Sequence, residues 1–281
     1  MNIKHLLRIA ALVAVLLGFT IQNARAANDN LTQYVNQYIG TGGHGHTVMG
    51  ANAPFGLVIV GPTEPLRGWD WTSGYHYSDN EIIGFGHMHL SGTGIGCLGD
   101  IALLPVSNAN QRSTFFTHDN ERMHPGYYSL RLTDPDVLVE LTATKRCAMH
   151  RYTFGKGAKA QLALDLAQCI GWDTPTDCML SQESPTRLIG YRRSTGWAKD
   201  RRIYFAMDFS RPVHVERADS MYRALLTFDN SDKPLLVKVA LSPVEPDKAK
   251  ANMQAEMPGW DFDAAVSKVD DEWNRQLSRI K

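Results

Sequence analysis

Tyr127-Tyr128-Ser129-Leu130-Arg131-Leu132-Thr133-Asp134-Pro135-Asp136-Val137-Leu138-Val139-Glu140-Leu141-Thr142 is the stretch that decides the fold class. Two apolar-rich runs flank Asp134-Pro135-Asp136. That tripeptide is a turn signal, because Asp bonds its own backbone and Pro fixes φ. In the second run Val137, Val139 and Leu141 alternate with Leu138, Glu140 and Thr142, the period of two that puts alternate side chains on opposite faces of a strand. The stretch reads as two strands joined by a turn.

The same pattern extends outward in both directions. Leu57–Val60, Ile101–Pro105, Gln161–Leu166, Ile203–Phe209, Tyr222–Phe228 and Leu235–Leu241 are short apolar runs of strand length. Turn signals such as Asp229-Asn230-Ser231 separate them. Many short strands without intervening helices predict a mainly β protein, a large antiparallel β-sandwich rather than a doubly wound sheet. The tail differs. Phe262, Val266, Val269, Trp273, Leu277 and Ile280 recur at steps of three and four, one face of a helix. Asp261 is its expected N-cap, and Arg275, Arg279 and Lys281 suit the negative end of its dipole. That apolar stripe must pack on this sandwich or on a part that follows it.

The N-terminus reads as a secretory signal peptide, residues 1–26. Lys4, His5 and Arg8 precede an apolar run from Ile9 to Ile21, and Ala24-Arg25-Ala26 supplies the cleavage pattern. The run is shorter than the roughly 20 residues a membrane span needs. A periplasmic or secreted protein is expected, with no membrane span. Lys+Arg and Asp+Glu are both 29, so nothing in the charge balance attracts nucleic acid. Export permits disulfides among Cys97, Cys147, Cys169 and Cys178. Cys169 and Cys178, flanking a short polar stretch, are the pair most suited to one, with free buried thiols the alternative.

Residues 44–100 concentrate the side chains that could carry chemistry: His44, His46, His76, His87, His89, Trp69, Asp70, Trp71, Tyr75 and Tyr77, with the glycine-rich run Ser91–Asp100. Trp69-Asp70-Trp71 offers aromatic faces for the C–H surface of a pyranose and a carboxylate for its hydroxyls, although Trp is also a common core residue. His44/His46 and His87/His89 are spaced so that each pair could grip one ion from a strand, but H-x-H is a loose pattern and hydrogen bonding within a loop network is the simpler reading. Gly92-Thr93-Gly94-Ile95-Gly96 lacks the Lys-Ser/Thr ending of a P-loop, and no G-x-S-x-G elbow occurs.

Val35–Thr47, Ala53-Pro54-Phe55-Gly56, Trp69-Asp70-Trp71, Ser73–Tyr77 and Ile83–Gly94 resemble the opening of glycoside hydrolase family 92, bacterial exo-acting α-mannosidases. Gly196-Trp197, Ile203-Tyr204-Phe205, Ala249–Asn252 and Pro258–Asp263 are similar too. The resemblance implies an N-terminal supersandwich of the galactose-mutarotase type over residues 27–260 and a connector helix over 261–281. An (α/α)6 catalytic domain would follow and is not in the chain. It implies calcium-dependent inverting hydrolysis of mannose-containing glycans. The acid, the base and most of the calcium site lie in the helical domain, so no cofactor is expected on this chain alone. Trp69, Asp70, His87 and His89 are the matching candidates for sugar contact, and the tail stripe would pack against the helical domain. The expectation is a domain without activity of its own. A stand-alone mannose-binding module is the alternative, and a His-based metalloenzyme comes third.

Overall fold

The computed structural model describes residues 30–217 and 222–280; the expected signal peptide lies outside the described residues. Two antiparallel sheets face each other. The first has seven strands, in the order β1 (Ala51–Asn52), β2 (Ile59–Thr63), β4 (Gly84–Gly86), β5 (Ala102–Pro105), β11 (Gln161–Asp165), β16 (Arg223–Thr227) and β15 (His214–Arg217). The second has eight, in the order β12 (Thr174–Ser184), β13 (Arg187–Thr195), β14 (Arg201–Phe209), β17 (Leu235–Ser242), β10 (Cys147–Phe154), β9 (Val137–Ala143), β8 (Tyr127–Leu132) and β7 (Glu121–His124). A two-stranded ribbon pairs β3 (Glu81–Ile82) with β6 (Thr114–Phe115). This is the expected β-sandwich.

The strands at 127–132 and 137–143 pair in register around the Asp134–Pro135 turn, Leu132 opposite Val137 and Tyr127 opposite Thr142. Val137, Val139 and Leu141 are fully buried between the sheets. They meet Val60, Phe85, Leu103, Leu162, Leu164 and Leu226 of the facing sheet in one continuous core. Each such side chain contributes roughly 1.5–3 kcal/mol of burial free energy. The opposite face of β9 is covered as well. Glu140 is 8% exposed and bonded to Arg151 and Tyr127, and Thr142 donates to the Gly126 carbonyl at 2.8 Å.

The outer face of this sheet is covered by two helices, α1 (Pro246–Glu256) over β14 and β17 and α2 (Phe262–Leu277) over β9 and β10. The sequence patterning does not announce α1, because it buries only Ala249 and Met253 and has no apolar stripe to detect. Met253 and Met257 pack with Cys147, Met149, Ala206, Ala240 and Phe262 in a second, smaller core on the outer face of the eight-stranded sheet. In α2 the expected cap forms, Asp261 Oδ1 accepting from Ala264 N–H at 2.9 Å.

The expected outward stripe is corrected. Phe262 and Val269 are buried on this sandwich, Val269 against Gly126, and Trp273 Nε1 donates to the Asn52 carbonyl at 2.7 Å. Buried Asn274, on no apolar stripe, accepts the Leu31 and Thr32 N–H groups at 2.7 and 3.2 Å and so stitches the N-terminal turn to α2. Ile280 alone of the six stripe residues is strongly exposed.

Cys169 and Cys178 are not bonded to each other. None of the four cysteines is in a disulfide, and Cys97, Cys147 and Cys178 are buried. Cys178 lies within β12, which pairs along its length with β13, and the core around it needs no covalent staple.

Candidate functional site

The loops after β2 and between β4 and β5 meet at one end of the seven-stranded sheet. Trp69–Trp71 forms a single 3-10 turn. Trp69 stands 57% exposed yet is fixed on two sides. Its indole N–H donates to the Gly94 carbonyl at 2.9 Å, and the His46 ring meets it edge-on with centroids 4.2 Å apart. Gly94 has φ +64°, and a Cβ there would lie 2.9 Å from the Trp69 ring, so only glycine lets the loop and the indole come this close. Beside it, His44 Nδ1 and Asp70 Oδ1 are 2.6 Å apart, both reachable from solvent. An exposed aromatic face, a carboxylate and an imidazole therefore share one patch. Trp71 differs from Trp69. Its indole N–H donates to Asp79 at 3.0 Å and its ring stacks on His76, which makes it part of the support.

His87 and His89 lie behind this patch, both buried. The Ile101 carbonyl, 2.6 Å from His87 Nδ1, can only accept, so that nitrogen carries the proton. His87 Nε2 then accepts from His150 Nε2–H at 2.9 Å, and His150 Nδ1 accepts from the Tyr152 hydroxyl at 2.8 Å. Burial drops His87 to about 4, and it pushes His150 well below the usual imidazole range; the neighbouring ring adds to the effect at His150. His89 is held in the same way, Nδ1–H to the Ile59 carbonyl at 2.9 Å and Nε2 to the Thr63 hydroxyl at 3.0 Å. Burial lowers its pKa too. The structure thus brings Trp69 and Asp70 together at the surface and sets the two histidines beneath as neutral struts.

The glycine run is anchored at its far end by a buried ion cluster. Arg201 reaches both Asp100 carboxylate oxygens at 2.8 Å, and Arg192 Nη1 sits 2.7 Å from Asp100 and 3.0 Å from Asp173. Arg201 also contacts Asp173. Two cations and two anions balance, and the cluster ties the loop to β13 and β14. The same loop makes a short antiparallel bridge, with Ile170 N–H to Leu98 O at 2.9 Å and Trp172 N–H to Gly96 O at 3.0 Å. Gly196 packs against the Trp172–Asp173 backbone. Trp172 is thereby held at Gly96 and the Gly196-Trp197 turn beside Trp172, and both indole side chains are more than half exposed.

Residue-by-residue reading of the sequence passes over Trp172 and over the Arg192–Arg201 cluster. A signal was available. Four of the six tryptophans follow a glycine, in Gly68-Trp69, Gly171-Trp172, Gly196-Trp197 and Gly259-Trp260, and these four are the exposed ones. Trp71 and Trp273 do not follow glycine, and both have their indole N–H engaged.

Glu64 is buried below the turn. Its Oε2 accepts from His76 N–H at 2.6 Å while Oε1 has no partner, and burial raises its pKa to about 9 against the pull of that bond. Asp79 is partly raised by burial, but Arg67 and neighbouring donors bring it below the usual carboxylate range. Among the described residues no group of three or more His, Cys, Asp or Glu side chains is arranged to hold a metal ion. Asp70, Asp79 and Asp100 are instead claimed by His44, Arg67, Arg192 and Arg201, and Glu64 is held protonated by burial. The donor set does not fit a calcium site.

A family model described as the glycosyl hydrolase family 92 N-terminal domain matches residues 34–242. The chain belongs to glycoside hydrolase family 92. Its fold superposes with a TM-score of 0.82 on a family 92 α-mannosidase of Bacteroides thetaiotaomicron, at 29% identity over 89% of this chain and 38% of that one. That enzyme is also known in complex with mannoimidazole. A second family 92 glycosyl hydrolase, ccman5, gives a TM-score of 0.78 at 26% identity, covering 88% of this chain and 37% of its own. An uncharacterized secreted glycosidase of Arthroderma benhamiae is 24% identical over 94% of this chain and 40% of its length. The chain therefore spans about two fifths of the length of these family 92 relatives.

Proposed function

We propose that this family 92 domain forms one wall of the sugar site of an α-mannosidase, with Trp69 stacking on a mannose ring and Asp70, with His44, binding its hydroxyls. The observation that carries this is the immobilised, half-exposed Trp69 beside an accessible Asp–His pair. An aromatic face with a few convergent polar groups is how binding sites fix orientation. The α-mannosidase among its structural relatives supports the substrate class. His87 and His89 act from behind, as positioning residues that hold the loops in register. Trp172 and Trp197, on the loops before β12 and between β13 and β14, extend the aromatic surface.

Hydrolysis with inversion needs one carboxylic acid at the leaving oxygen and one carboxylate to activate water. The carboxylates near Trp69 are committed to arginine or histidine, or buried as Glu64 is. In this reading the acid, the base and the calcium of the family belong to an (α/α)6 domain beyond the sandwich, and residues 261–281 connect to it. The protein works outside the cytoplasm. The apolar run Ile9–Ile21 with Ala24-Arg25-Ala26 supports export, as does the secreted relative. Incubating this chain with an α-mannoside and calcium is expected to release no mannose above the no-protein control. Sustained release would place a complete catalytic pair within these residues and overturn the reading.

A second reading, a self-sufficient mannose-binding module, is favoured by one feature. Helix α2 closes over its own sandwich, so the described residues bury their own apolar faces.

A further inference from the structure

A second concave site lies on the outer face of the eight-stranded sheet, and no residue of the Trp69 patch lines it. It is a groove of about 540 Å³ between the loops flanking β14 and β17 and the segment Trp260–Asp263. Trp260, the fourth tryptophan that follows a glycine, forms one wall and is 37% exposed. Lys238 Nζ sits 4.1 Å over its ring and donates to the Met257 carbonyl at 3.1 Å, which fixes the indole in place. Leu236 and Phe262 supply the apolar floor.

The charges around the groove are uneven. Asp263 is claimed by Arg151 at 2.9 Å, and Asp261 caps α2. Two further cations, Arg211 and Lys233, line the groove and form no ion pair within 4.0 Å among the described residues, with Asp229 the carboxylate acting on Arg211 from farther off. Arg211 Nη1 reaches the Lys233 carbonyl at 3.3 Å, while its Nε is buried without a partner. Arg211 is half-buried, and burial weakens its charge while the nearby Asp229 supports it. Ser210 and Ser231 add hydroxyls on the same side.

We infer that this groove is a second carbohydrate site, selective for a sugar that carries an anionic group. The ring lies on Trp260, and a phosphate, sulfate or carboxylate meets Arg211 and Lys233 in charge-assisted hydrogen bonds. A neutral sugar leaves both cations unpaired, and a free anion leaves the indole uncovered.

The test follows the indole N–H signals of the nitrogen-15-labelled chain, with the Trp260 signal assigned by Trp260→Phe. Mannose 6-phosphate is titrated against mannose and inorganic phosphate. The expected result is a saturable shift of the Trp260 signal with the phosphosugar. Affinity should be at least about tenfold weaker with mannose or phosphate alone, and weaker again at high salt. Arg211→Gln and the surface variant Lys233→Gln should each weaken it about tenfold while the other indole signals keep their positions. Equal binding of inorganic phosphate would make this a free-anion site, and equal binding of mannose would remove the role of the cations. Either result, or a Trp260 signal that does not move, overturns the inference. The Trp69 signal reports separately on the proposed mannose wall.

Discussion

At the scale of single residues, exposure and fixation have to be read together. Trp69 is held by Gly94 and His46 while leaving a face to solvent, so it contributes little to the core and much to the surface. Trp69→Ala is expected to leave the unfolding midpoint nearly unchanged and to weaken mannoside binding by about tenfold or more, which is about 1.4 kcal/mol; titration calorimetry on both proteins checks this.

The buried titratable groups give a second residue-scale prediction, with two opposite signs. His87 takes a proton at about 4 in the folded chain but near 6.5 when unfolded. Between those values the unfolded state binds more protons, so stability falls as pH drops from about 6.5 toward 4, by up to about 3 kcal/mol from His87 alone. His150 acts in the same direction. Glu64 acts the other way. It keeps its proton up to about 9 in the fold and loses it near 4.5 when unfolded, so its contribution is lost as pH rises through that window. Urea unfolding across pH 4–9 should give a falling acid limb, and Glu64→Gln should raise stability at pH 7–8 by about 1–3 kcal/mol.

At the scale of elements, the glycine-rich loop and α2 carry the account. Gly94→Ala places a methyl group 2.9 Å from the Trp69 ring at a positive φ, so the indole must move. The expected outcome is a mannoside affinity reduced about as much as in Trp69→Ala, with a loss of about 1 kcal/mol of stability; intrinsic fluorescence and denaturant unfolding read the two effects. In α2, Asn274→Ala strips the part-buried Leu31 and buried Thr32 N–H groups of their acceptor. It should cost about 2 kcal/mol and release the N-terminal turn to faster amide exchange. The strands at 127–143 and the cap at Asp261 were legible because alternation and capping are local rules. β10, β12 and β13 were not, since Cys147–Phe154 has no clean alternation and Thr174–Ser184 is a polar edge. β12 and β13 form a local hairpin that no alternation announces, whereas β10 takes one of its two partners, β17, from far along the chain. The same holds for His87, whose role is set by His150, sixty-three residues away. The stripe of α2 was legible as a face, but its partner surface was not, because Gly126 meets Val269 only once the sheet exists.

At the scale of the whole molecule, the sandwich buries its own faces and presents one aromatic rim. The family was readable from contiguous motifs in residues 35–100, where glycines, histidines and tryptophans are too dense for an ordinary core, and the fold from the strand-length runs around Tyr127–Thr142. The Trp172 and Trp197 part of that rim comes from the loops before β12 and between β13 and β14, tied in by Arg192 and Arg201, and no local motif encodes that convergence. The most direct measurement is the set of indole nitrogen-15 signals of this chain during titration with methyl α-mannoside. The expected result is a saturable, millimolar-range shift of the Trp69 signal whose affinity falls about tenfold in Gly94→Ala, while Trp71 and Trp273 stay still. A Trp69 signal that does not respond, or a response confined to other tryptophans, would contradict it.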